Sequence, residues 1–342
     1  MKFDTSIDKA NVRKVILEEA DQFEKGFEFA KEIKINDKFE SITISGMGGS
    51  ALPGNIVRIF LGDLFERGQK KNKLAVYHNR FYALPKEAYD KSLNIICSFS
   101  GNTEETLESF QEAIDNNLPC VGISAGGKLE EMCKENNIQH VKFSGFDKNF
   151  QPRMATGYFF AAIFQILMNG KLIDDCTEEV LKMSVKLKKE TLEMEERGKE
   201  LAEKIKGKTP IIYSSTKFKS LAMIWKIKIN ENAKTPCFWN FFPELNHNEM
   251  VGFTNPQADF SFIMLRDPND HPQNKKRFDV MAELMMKKGM NTEIIEMEEG
   301  SVFYKIFATL YLGDWTSYYL ALAYGQDPNP VDMVEEFKTL VK

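Results

Sequence analysis

Short apolar runs rich in β-branched residues alternate with stretches of helical spacing along most of this chain. In the first half, SITISGM (41–47), LAVYHN (74–79), LNIICSFS (93–100), CVGIS (120–124) and QHVKFS (139–144) read as strands bounded by turn residues. Between them, 52–65, 104–116 and 128–136 repeat their apolar positions with the helical period, and 6–33 reads as helices ahead of the first strand. No strand pattern occurs over 154–204, where a nearly all-apolar helix (155–168) is followed by a long charged amphipathic one (180–205). A second alternation follows, with strands at 210–215, 236–241, 259–265 and 292–297 and helices at 219–233, 275–288 and 304–324. A last helix, 331–341, starts after the turn Asp327-Pro-Asn-Pro330. The pattern predicts an α/β fold of two doubly wound, flavodoxin-like parallel-sheet lobes: an N-terminal lobe (1–153), a helical connector (154–207) and a C-terminal lobe with the terminal helix (208–342).

Composition narrows the class. Of 342 residues, 43% are hydrophobic and 28% charged, enough apolar material for large cores. The net charge of −5 gives no basic footprint for nucleic acid or an anionic membrane. The 5 cysteines are scattered, with no C-x-x-C pair, as buried free thiols in a reducing cytosol would be. The 4 histidines show neither H-x-H nor H-E-x-x-H spacing, so a zinc site built mainly from His and Cys is not expected; nor is a cofactor expected. The N-terminal stretch is charged and lacks a signal-peptide core, and Asp314 interrupts the long apolar run 306–324. A cytoplasmic protein is expected.

Two loops carry candidate chemistry. The first strand runs into Gly46-Met-Gly48-Gly49-Ser50-Ala51. Glycines there permit positive φ and close backbone approach, and the following helix presents free N–H groups, which together make an anion site. The loop also satisfies the loose dinucleotide fingerprint G-x-G-x-x-A, yet the second strand ends in Tyr77-His78-Asn79-Arg80 without the carboxylate that takes ribose hydroxyls. The third strand runs into Ser98-Phe-Ser100-Gly101-Asn102-Thr103-Glu104-Glu105. Asn102 and Glu105 could form a capping box, but capping does not account for Ser98, Ser100 and Thr103 together, whereas a phosphate monoester matches such a cluster. No lysine lies in the loop, which suits holding a phosphate rather than transferring it.

SGMGGSA followed by SFSGNTEETL resembles the sugar isomerase (SIS) domain, and more narrowly the bifunctional phosphoglucose/phosphomannose isomerase family. GGKLEEM (126–132), QPRMATGY (151–158), WKIKINENAK (225–234), PELNHNEMVG (243–252) and GDWTSYYLALAYGQDPNPV (313–331) extend the resemblance in order over nearly the whole chain. It implies a metal-free aldose–ketose isomerase that interconverts glucose 6-phosphate, and mannose 6-phosphate, with fructose 6-phosphate. Ser50, Ser98, Ser100 and Thr103 would hold the phosphate, with Gly48 and Gly49 lining the loop.

Aldose–ketose isomerisation needs a carboxylate base, donors for enediolate oxygens and a group that opens the sugar ring. Spacing alone leaves Glu231, Glu244 and Glu249 as equal candidates for the base, and Glu231 could equally be an exposed helix-end carboxylate. The resemblance assigns Glu231 as the shuttle between C1 and C2. It gives His247 ring opening at the neighbouring subunit's site, which implies a homodimer. Arg153 would stabilise the enediolate, and Lys338 on the final helix would assist ring opening. Asn329 and Val331 stand where some relatives carry a threonine that helps accept both C2 epimers. Two rival readings are a non-catalytic sugar-phosphate-binding SIS regulator and an NAD(P)-dependent dehydrogenase built on the first glycine loop. The 40 residues before the first strand leave little room for the DNA-binding domain a regulator carries.

Overall fold

A computed structural model describes residues 3–66 and 74–341. The helices are α1 (Val12–Leu17), α2 (Gln22–Ala30), α3 (Leu52–Glu66), α4 (Glu104–Asp115), α5 (Gly127–Glu135), α6 (Thr156–Asn169), α7 (Thr177–Ile205), α8 (Lys219–Ala233), α9 (Pro272–Lys287), α10 (Val302–Ala323) and α11 (Asp332–Leu340). The strands are β1 (Ser41–Gly46), β2 (Ala75–Asn79), β3 (Ser92–Cys97), β4 (Cys120–Ser124), β5 (His140–Lys142), β6 (Thr209–Ser215), β7 (Phe238–Phe242), β8 (Phe260–Arg266) and β9 (Asn291–Glu296). The chain divides into two compact units, Glu18–Val185 and the described residues of Met1–Leu17 with Lys186–Lys342. The helical stretch 154–207 is shared between them, since the division falls within α7.

In the unit Glu18–Val185 the sheet order is β2-β1-β3-β4-β5, and every pairing is parallel. β1 and β3 lie at its centre and every residue of both is buried, as expected of strands covered by helices on both faces. The run 93–100 stops being a strand at Cys97, where the hydroxyl-rich loop turns away from the ladder. The other unit holds a second parallel sheet, β7-β6-β8-β9. In both, the strand first in sequence lies inside, with its successors on either side, which is the doubly wound arrangement the alternation predicted. It also sets a topological switch point at the carboxyl edge between β1 and β3. A dinucleotide fold would place its strands in a different order.

Parallel pairing has a further consequence in the second unit. β6 and β7 point the same way, so α8 between them runs back along the sheet. Its C-terminal turn, with Glu231, therefore lies at the amino edge, about 18 Å along the helix from Lys219 at 1.5 Å per residue. The segment after β7, 244–249, leaves from the carboxyl edge.

α8 is pinned to α10 by a ladder of contacts. A Cβ on Gly313 would stand 2.7 Å from Trp225 Nε1, so glycine is what lets the indole approach the α10 backbone. Trp225 Nε1 donates to the Thr309 carbonyl at 2.9 Å. One turn on, Lys228 Nζ lies 2.5 Å from Asp314 Oδ1, with both side chains buried. A further turn on, Asn232 Nδ2 donates to Ser317 Oγ at 2.9 Å. The run 306–324 thus belongs to a buried helix of a packed unit, and Asp314 is there to pair a lysine. Among the described residues no helix is long and apolar enough to cross a membrane.

Asp314→Ala strands a buried ammonium and is expected to cost about 3–5 kcal/mol, read as a lower denaturant midpoint. Replacing the pair together (Lys228→Met with Asp314→Leu) should recover most of that loss. An unchanged midpoint in the single variant contradicts the pairing.

Candidate functional site

Four connections of the unit Glu18–Val185 leave the carboxyl ends of β1, β3, β4 and β5 and interlock. Gly48 has φ +51 and nothing within 4 Å of where a Cβ would stand. Gly49 is the opposite case: a Cβ there would lie 2.6 Å from the Arg153 amide nitrogen, so the chain at Pro152–Arg153 presses directly on the loop. Ser50 Oγ accepts from the Phe99 amide at 3.0 Å, tying the first loop to the second. Ser98 is buried, its Oγ lies 2.9 Å from Thr103 Oγ1, and it accepts from the Gly101 amide at 3.1 Å. Ser100 is exposed, and its Oγ accepts from the Asn102 amide at 3.2 Å.

The turn Gly126–Gly127 buttresses the second loop. Gly101 has φ +70, and a Cβ on it would fall 1.8 Å from the Gly126 carbonyl oxygen, which excludes any side chain. Asn102 does not cap the helix, contrary to the capping-box alternative. Thr103 is the N-cap of α4 and makes no side-chain cap bond, while Asn102 Oδ1 accepts from the Lys128 amide at 3.1 Å. The first-turn amides of α4 therefore lack a side-chain cap beside the Ser98–Thr103 hydroxyl pair.

Arg153 is 2% exposed and sits against Gly49, with Nη1 donating to Gln151 Oε1 at 3.4 Å. Within this unit the structure thus brings together Gly48, Gly49, Ser50, Ser98, Ser100, Thr103 and Arg153. Half-buried Phe99 stacks on Phe150 at 5.4 Å and meets Phe146 edge-on at 5.0 Å, which holds the segment leading to Arg153 beside the second loop. At the end of β2, where a dinucleotide fold keeps its ribose-binding carboxylate, Asn79 is buried and donates to Ser109 Oγ at 2.9 Å. Burial, with Arg80 and Arg58 adding to it, pushes the His78 pKa down to about 4, so that ring is neutral at physiological pH.

The other unit carries the remaining candidates. Glu231 lies in the last turn of α8 and is half-buried, flanked by the Lys228–Asp314 and Asn232–Ser317 contacts, so it is not a fully exposed helix end. His247 is exposed at the end of a short 3-10 turn, Glu244–His247. The two lie at opposite edges of their sheet, for the topological reason given above. Lys338 is exposed on α11, a helix with no buried residue, and its Nζ is 2.7 Å from Glu335 Oε1.

The two other candidate glutamates have named partners in this unit. Glu244 Oε1 accepts from Asn248 Nδ2 at 2.8 Å on an exposed surface. Glu249 Oε1 accepts from Tyr213 Oη at 2.5 Å, and its Oε2 from Asn240 Nδ2. Burial raises the Tyr213 pKa far above its usual value, and the Glu249 charge adds to this, so the phenol remains a donor. Tyr213 and Asn240 had no signal in the sequence, because each sits inside an apolar strand. Gly126 and Gly127 had one, as consecutive glycines at a strand end.

The comparisons with known proteins agree with this architecture. A family model described as the bacterial phospho-glucose isomerase C-terminal SIS domain matches residues 194–341. A bifunctional phosphoglucose/phosphomannose isomerase from Caldicellulosiruptor bescii is 36% identical over 332 residues, covering 93% of this chain and 95% of the relative. A protein of the same name from Aquifex aeolicus is 32% identical over 321 residues, covering 92% of this chain and 95% of the relative. Among solved structures, a putative phosphosugar isomerase from Clostridium difficile superposes with a TM-score of 0.73 at 15% identity, over 96% of this chain and 97% of that one, a likeness of fold. Identity of this level over nearly the full length of both chains places the protein in the bifunctional phosphoglucose/phosphomannose isomerase family.

Proposed function

We propose that this protein is an aldose–ketose isomerase that interconverts glucose 6-phosphate and mannose 6-phosphate with fructose 6-phosphate; the two relatives described above are named bifunctional phosphoglucose/phosphomannose isomerases, which supports this. The observation that carries the reading is the convergence of Ser50, Ser98, Ser100, Thr103 and the start of α4 on the carboxyl edge that Arg153 also reaches. Hydroxyls and amides in such an array suit the oxygens of a phosphate monoester held without being transferred.

In the proposed mechanism His247 and Lys338 assist opening of the pyranose ring, one taking the O1 proton and the other giving one to O5. The Glu231 carboxylate then removes the C2 proton of the open aldose. The electron pair of that C–H bond forms the C1–C2 double bond, and the carbonyl electrons move to O1. The buried Arg153 guanidinium stabilises the resulting enediolate. Glu231 returns the proton to C1 while the O2 proton passes to the O1 oxyanion and the C2=O bond forms, which leaves the ketose. Because Glu231 and His247 lie at opposite edges of one sheet, the His247 that serves a given Glu231 would come from a second copy, which makes the working species a homodimer. The expected setting is the cytoplasm. No step calls for a metal.

Glu231→Gln should fold normally and lose roughly 10²-fold or more in turnover, the usual size of a missing general base. Ser100→Ala removes an exposed hydroxyl and is expected to raise KM about 10-fold, the worth of one hydrogen bond to a charged group. Coupled assays on both aldose phosphates should show turnover that EDTA leaves unchanged. Fructose 6-phosphate binding without conversion would favour the regulator instead, and tight NAD(H) binding the dehydrogenase.

A further inference from the structure

The sequence PELNHNEMVG contains an acidic group that the proposed mechanism does not use. Tyr213 and Asn240 are register partners on the parallel neighbours β6 and β7, so their side chains leave the same face of the sheet. Glu249 reaches back from the connection after β7 and receives a hydrogen bond from each, one on either carboxylate oxygen. Tyr213 is fully buried in the core that also holds Phe242, Leu245 and Phe253, so its hydroxyl is fixed by packing before it meets Glu249.

The connection is braced on its other side as well. Leu245 is 0% exposed, Asn248 Oδ1 accepts from the Glu249 amide at 2.6 Å, and Asn248 Nδ2 donates to Glu244 Oε1. Between a buried leucine two residues before and a doubly held carboxylate two residues after stands His247, with its ring exposed.

We infer that Tyr213, Asn240 and Glu249 are positioning residues: their cluster fixes the segment 244–249 so that the His247 imidazole is presented in one orientation for ring opening. None of the three touches the reacting atoms. The inference rests on the reading of His247 as the ring-opening group, and it extends that reading to how an exposed loop histidine acquires a defined place. A side chain on an unbraced loop would sample many rotamers and backbone positions, and displacement by an ångström costs up to about 10²-fold in rate.

The test compares Tyr213→Phe, Asn240→Ala, His247→Ala and Glu231→Asp on glucose 6-phosphate carrying hydrogen or deuterium at C2, with thermal unfolding to establish that each is folded. Slower ring opening masks the C2–H step and lowers the isotope effect. Slower proton abstraction exposes it. Tyr213→Phe is expected to lose about 10- to 100-fold in kcat with KM within about twofold, and an isotope effect at or below that of the unaltered enzyme. His247→Ala should behave likewise with a larger loss, and Glu231→Asp should show a larger isotope effect. Asn240→Ala gives the same readout if Tyr213→Phe does not fold. Unchanged turnover, or an isotope effect above the unaltered enzyme's, in a folded Tyr213 or Asn240 variant overturns the positioning role while leaving His247 in place. A raised isotope effect in His247→Ala removes the ring-opening assignment, and the inference falls with it.

Discussion

Parallel pairing is the constraint on which the rest of this molecule depends. Neighbouring parallel strands force each connection to cross back over a face of the sheet, so every strand delivers its outgoing loop to the same edge. In the unit Glu18–Val185 that edge receives the glycine loop after β1, the hydroxyl loop after β3, the Gly126–Gly127 turn after β4 and the chain to Arg153 after β5. Segments up to about a hundred residues apart in the chain meet there because four strands point one way. The same rule in the other unit sends Glu231 and His247 to opposite edges.

What turns neighbouring loops into a defined array is backbone contact that only glycine permits. Gly49 lies under the Arg153 backbone and Gly101 against the Gly126 carbonyl, at spacings that leave no room for a methyl group. Serine hydroxyls then fasten one loop to the next, most directly where Ser50 receives the Phe99 amide. Hydrogen bonds of this kind contribute modestly to net stability, about 1 kcal/mol each, but leaving buried ones unmade costs more, so the arrangement is cooperative. Polar contacts inside the other unit follow the same logic. Lys228 with Asp314 holds the helix of Glu231, and Tyr213 with Asn240 holds Glu249. A buried ion pair is weak support for stability, yet each member is costly to lose once the other is in place.

Much of the fold was legible along the chain, because alternation and helical period are local properties that burial on a sheet or helix face imposes directly. The strands and helices lie where the apolar runs placed them, and the two loops that begin Gly46-Met-Gly48 and Ser98-Phe-Ser100 follow strand ends as read. Local chemistry alone does not fix a polar side chain's partner. Asn102 has the spacing of a helix cap but is drawn instead to the Lys128 amide, a partner 26 residues away. Asp314, which looked like an interruption in an apolar helix, answers a lysine 86 residues earlier in the sequence.

The alternation of strand and helix, the glycine and hydroxyl loops, and the family motifs can all be read along the chain. Which polar residues serve which others emerges only when distant segments pack together. Of the three glutamates that spacing left equal, Glu249 is held by Tyr213 and Asn240, Glu244 by Asn248, and Glu231 lies half-buried in the last turn of α8, between the residues that tie this helix to α10. The physical reason is register. Tyr213 and Asn240 are 27 residues apart along the chain and become neighbours only when β6 and β7 pair, and no local period records which residue will face which across a sheet.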